Sequence, residues 1–132
     1  MAMQRWCRAA VLAALALVAG CAAEVKVVPA QLAPLARPAP DVVVASDLPV
    51  RLSTGYTRTV PQKTRWRAVG TLAQGTVYQP LDTVFAIEGR HVHEAWLVLR
   101  GADLQGFWLP AENHYSGLER AIPMTLEGGA PR

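Results

Sequence analysis

The stretch His91-Val92-His93-Glu94-Ala95-Trp96-Leu97-Val98-Leu99 decides the fold class. Successive side chains of an extended chain point to opposite faces. On that alternation Val92, Trp96 and Val98 share one face, with Glu94 among them, and Ala95, Leu97 and Leu99 share the other. Apolar residues on both faces describe a strand covered on both sides, at the centre of a sheet or in the wall of a barrel. Gly101-Ala102-Asp103 then reads as a hairpin loop, and residues 104–109 return as the next strand.

The same grammar extends outward. Residues 65–72 alternate, with Trp66, Ala68 and Leu72 on one face and Arg65, Arg67 and Val69 on the other. Gln74-Gly75 and Glu88-Gly89-Arg90 are turn signals, and residues 76–78 and 83–87 are short β-prone runs split by Pro80. Residues 48–52 form a first strand that Ser53-Thr54-Gly55 breaks, and residues 122–126 form a closing strand. No window outside the first twenty-odd residues keeps a 3.6-residue period. Short strands at regular spacing predict an all-β domain over residues 48–127, a small sandwich or barrel of short antiparallel strands. Residues 128–132 are left as a tail.

Residues 21–47 have a different composition. Pro29, Pro34, Pro38 and Pro40 are interleaved with alanine. Proline fixes φ and lacks an amide donor. The stretch is therefore predicted to be an extended tether, rising ~3.1 Å per residue where it is polyproline II. Val42-Val43-Val44 is its one β-prone patch, so the domain boundary there is soft.

The beginning of the chain is unlike either part. Arg5 and Arg8 form a basic start without acidic residues, and residues 9–19 are continuously apolar. Eleven helical residues rise only ~17 Å, against a hydrocarbon core of about 30 Å. The segment is too short to span and reads as the apolar region of a cleavable signal peptide, residues 1–20. Leu17-Val18-Ala19-Gly20-Cys21 follows. This run resembles the lipobox of bacterial lipoproteins. The resemblance covers residues 1–21 only, and it implies cleavage between Gly20 and Cys21. It also implies a diacylglycerol on the Cys21 thiol and an acyl chain on the new amine. No aspartate follows Cys21, which in the enterobacterial sorting pattern favours the outer membrane, periplasmic side, over the inner membrane. The implied first partner is the membrane itself, through the lipid anchor. No other cofactor is implied.

Removing residues 1–20 leaves 112 of the 132 residues, enough for one domain. The formal charge of +3 includes Arg5 and Arg8, so the mature chain is nearer +1. A chain of that charge is not read as a nucleic-acid binder. Both cysteines, Cys7 and Cys21, are accounted for by cleavage and acylation. Thiol catalysis, a disulfide and cysteine-ligated zinc are thereby excluded from the mature domain.

Candidate chemistry is thin. His91 and His93 fall on one strand face, and His114 lies further on, so the three are candidate metal ligands. Arg58, Lys63, Arg65 and Arg67 flank Trp66 and form a candidate contact for an anionic surface. Residues 109–115 mix aromatic and polar side chains, and Trp108, Glu112, His114 and Tyr115 are candidates for a partner-binding loop. Ser46, Ser53 and Ser116 lie outside any Gly-x-Ser-x-Gly turn. Nothing selects a catalytic carboxylate pair. The sequence therefore predicts a non-catalytic, lipid-anchored envelope protein whose β domain binds or positions another envelope component, a protein partner first. The alternative is a periplasmic metal- or small-ligand-binding module using His91, His93 and His114.

Overall fold

The computed structural model describes residues 23–131. The signal stretch, Cys21 and the Gly20–Cys21 cut lie outside the described residues. Within them the fold is all-β, with no helix. The strands are β1 (Val28–Pro29), β2 (Val42–Val43), β3 (Leu48–Arg51), β4 (Thr57–Val60), β5 (Arg65–Leu72), β6 (Gly75–Pro80), β7 (Ala86–Glu88), β8 (Val92–Glu94), β9 (Trp96–Arg100), β10 (Asp103–Leu109) and β11 (His114–Pro123).

Seven of them form one antiparallel sheet in the order β1-β11-β10-β9-β6-β5-β2. The hairpins β3-β4 and β7-β8 stand apart from it. The long apolar run that decides the fold class sits at the centre of the sheet as β9, between β6 and β10. It is interrupted at Ala95, whose N–H donates to the Phe85 carbonyl at 2.9 Å. The chain changes partners there, from β7 to the main sheet.

The proline-rich stretch expected as a free tether is part of the fold. Val28 and Pro29 pair with Tyr115 and His114 on β11. Ala33 exchanges backbone hydrogen bonds of 2.9 and 2.8 Å with Thr71 on β5. Val42 and Val43 pair with Trp66 and Arg65. On the other side, Ala45 donates to the Thr125 carbonyl at 2.8 Å and Val43 accepts from Glu127 at 2.9 Å. Proline does not prevent this, because the prolines occupy edge or unpaired positions where no ladder donor is needed.

These pairings fix the curvature. In a flat sheet, a residue beside β11 and a residue beside β5 on opposite edges would be ~29 Å apart, at ~4.8 Å per strand. Pro29 and Ala33 are four residues apart and can span at most ~14 Å. The sheet must curl until its edges approach, and the N-terminal strap joins them. Register shifts between Ala68 and Gly70, and between Leu104 and Gly106, are the bulges that allow the bend.

Two apolar clusters result. The larger includes Trp66, Ala68, Tyr78, Leu97, Leu99 and Phe107 from the sheet, with Val50, Val60, Phe85 and Ile87 on or beside the two hairpins. Trp66 meets Phe85 edge-on at 5.5 Å, and Phe85 stacks on Phe107 at 6.0 Å. The smaller joins Val77, Val98, Trp108 and Tyr115 with Ala30 and Leu32 of the strap. Leu97 and Leu99 belong to one cluster and Val98 to the other, as the alternation predicts. Leu72 does not share a face with Trp66 and Ala68; the bulge in β5 turns it to the smaller cluster with Val69.

Candidate functional site

The β3-β4 turn is built for its shape. Leu52 donates to the Tyr56 carbonyl at 2.8 Å and Gly55 donates to the Leu52 carbonyl at 3.0 Å. Gly55 has φ +93°, a conformation that suits glycine. The Thr54 hydroxyl donates to the Glu88 carbonyl at 2.9 Å and ties this tip to the β7-β8 hairpin. Held this way, the tip stands off from β11.

Between the tip and β11 lies a cleft of about 570 Å³, within the size range of ligand sites. Phe107, Leu118 and Ile122 supply apolar lining, and Arg51, Glu119 and Arg120 are exposed on its walls. Ser116, a buried polar residue, also lines it. Ion pairs found among the described residues involve neither Arg51 nor Arg120. A guanidinium presents donors that match a carboxylate or phosphate in two-point contact. The arrangement suits a ligand that is apolar on one side and acidic on the other.

The candidates read from the sequence fall elsewhere. Among the described residues no group of three or more His, Cys, Asp or Glu is placed to hold a metal ion. His93 Nδ1 lies 3.0 Å from Glu112 Oε1, while His91 is exposed beyond the end of β8. His114 pairs with Pro29 and Leu109. The expected convergence of His91, His93 and His114 is not seen: His91 is exposed ahead of β8, His93 meets Glu112, and His114 begins β11 within the sheet.

The members of the basic cluster make separate contacts. Arg58 Nε donates to the Ala86 carbonyl at 2.8 Å, and its guanidinium lies 4.3 Å from the centre of the Phe85 ring. Arg65 pairs with Asp82 at 3.1 Å. Arg67 makes a two-point contact with Asp41 on the strap, at 3.1 and 3.2 Å. That contact holds the Asp41 carboxyl below the usual carboxylate range. Lys63 alone of the four has no side-chain partner among the described contacts, in a turn at φ +66°. Three of the four cations have a partner within the chain, and the Arg65 and Arg67 pairs remain exposed to solvent.

Of the four residues expected in a partner loop, Trp108 and Tyr115 are interior, His114 is half-buried and Glu112 is exposed. Trp108 is 3 % exposed and Tyr115 8 %. They belong to β10 and β11 and pack beneath the strap, so they are not a contact surface. Tyr115 donates its hydroxyl to the Gln105 carbonyl at the β10 bulge, 3.0 Å away. Burial pushes its phenol above the ordinary value, against a small opposing effect of Arg100. Only residues 110–113 form the turn, with Asn113 at φ +54°.

Arg51 and Arg120 escaped the sequence reading because no local pattern joins them. They are nearly seventy residues apart and meet only through the position of the first hairpin. No family model, curated protein or solved structure matches the chain.

Proposed function

We propose that the chain is a lipid-anchored protein of the bacterial outer membrane, periplasmic side, whose β domain binds another envelope component without catalysing a reaction. The β3-β4/β11 cleft is the binding site, and its occupant is a partner-protein segment carrying an acidic side chain beside apolar ones. The observation that carries this reading is the cleft itself, with apolar lining between two arginines outside the observed ion pairs. Anchoring rests on the Leu17-Val18-Ala19-Gly20-Cys21 run behind a basic, apolar leader. A non-catalytic role is supported by Ser116, which sits within β11 rather than on a nucleophile turn.

Site-specific photocrosslinking in intact envelopes tests the proposal. A photoreactive residue at Leu118 should capture one envelope protein, and Arg120→Glu should reduce the yield at least tenfold. Equal capture from a probe at Gln62, outside the cleft, contradicts it.

A further inference from the structure

The described fold begins two residues after Cys21 and is already bonded there. Arg90 donates its N–H to the Ala23 carbonyl at 3.0 Å, and its guanidinium meets Glu24 at 3.1 Å. A side chain on Gly89 would fall 2.9 Å from both the Ala23 carbonyl and the Val25 side chain. The chain just after Cys21 is therefore pressed against the turn between β7 and β8. Two residues reach at most ~7 Å. An acylated Cys21 lies within that distance of Ala23, with no spacer to lift the domain away.

Exposed large hydrophobic side chains lie on the segments that meet there. Among the described residues they are Val27, Val28, Tyr56, Val84 and Val92. Val27 and Val28 continue the run from Ala23, and Val92 is two residues beyond Arg90. Tyr56 and Val84 border a cavity of about 300 Å³ together with Ala86 and Glu88 of β7. Val92 is 68 % exposed and Val28 51 %.

We propose that this end of the domain, with Val27, Val28 and Val92 beside Lys26 and Arg90, rests on the bilayer that holds the acyl chains. The inference depends on the lipid-anchor reading and adds an orientation to it. Chain length fixes the occupant: within ~7 Å of an acylated cysteine the available surface is the bilayer itself. A linker this short gives a high effective concentration, so a weak apolar contact suffices to hold the orientation. Val25 and Thr54 line the binding cleft as well as this end, so the cleft opens beside the membrane.

The test uses the full-length protein, extracted in its processed form and placed in vesicles of phosphatidylethanolamine and phosphatidylglycerol. Once Cys21 is acylated, Val28→Cys, Val92→Cys or Gln62→Cys provides the single free thiol for a fluorophore. Gln62 lies beyond the end of β4 opposite the tip that meets the β7-β8 hairpin. Quenchers on the lipid headgroups should dim labels at positions 28 and 92 at least threefold more than at 62. In a Val92→Asp background the difference at position 28 should shrink, while far-UV circular dichroism stays unchanged. Equal quenching at all three positions on a chain that mass spectrometry shows to be acylated overturns the orientation alone. An unacylated mass overturns the anchor and the orientation together.

Discussion

Leu32 of the strap fills the space beside Gly70 in β5. A Cβ on Gly70 would lie 2.7 Å from Leu32 Cγ and 2.6 Å from the Ala33 carbonyl. The absence of a side chain at Gly70 is what lets the strap approach β5 closely enough to join the two sheet edges. Gly70→Ala should therefore destabilise the domain by about 1–3 kcal/mol, the usual range for overpacking. Urea unfolding measures this, and the strap should become sensitive to protease. Gly101→Asn is the comparison: that turn is left-handed with nothing within 4 Å of the added atom, and it should lose less than about 1 kcal/mol.

Arg58 is expected to act as a core-edge residue rather than as a surface cation. Arg58→Met keeps the aliphatic stem but removes the hydrogen bond to Ala86 and the contact with the Phe85 ring. The loss should be about 1–3 kcal/mol. Arg65→Gln removes an exposed pair with Asp82 and should cost about 0–1 kcal/mol. Similar costs for the two variants would argue against the structural role of Arg58.

Much of the β organisation was legible because alternation is local. Residues 65–72 and 104–109 could be read from their own pattern, and the two-sided apolar run at 95–99 announced a central strand. β4 was missed because Thr57-Arg58-Thr59 shows no buried face until Val60 closes it. Most of β11 was missed because His114, Gly117 and Glu119 look like loop residues; pairing with β10 makes it a strand. The strap was misread for a related reason. Proline and alanine favour an extended chain, and only the two open sheet edges convert that extension into pairing. The histidine and arginine sites were proposed from spacing in sequence, whereas the cleft depends on long-range placement, which spacing does not encode.

Asp41 and Arg67 link the strap to β5, and their contribution should depend on pH. The Arg67 hydrogen bond lowers the folded-state carboxyl below its ordinary value of 3.8. Stabilisation is thus present above pH 3.8 and disappears as pH falls through the lower folded value. Asp41→Asn should be less stable than the parent at pH 7, and the difference should close in strong acid. A gap that does not narrow as the pH is lowered into strong acid would mean the two-point contact is not what distinguishes them.

Tyr115 makes the opposite prediction. Burial raises its phenol above 10.0, so the fold favours the neutral form. Its contribution is complete below pH 10.0 and is lost as pH rises through the folded value. Tyr115→Phe leaves the Gln105 carbonyl without that donor and should cost about 1 kcal/mol at pH 7. It should also blunt the alkaline fall in stability, with Tyr78, whose phenol burial also raises, accounting for part of what remains.

The measurement that bears most directly on the account is intact-mass spectrometry of the membrane-extracted protein beside a Cys21→Ser control. The expected result is a mature chain that starts at Cys21 and carries the mass of a diacylglycerol and an acyl chain, with the control unprocessed or released. A soluble, unacylated chain with a free Cys21 thiol would contradict the anchor, and with it the placement of the cleft beside the membrane.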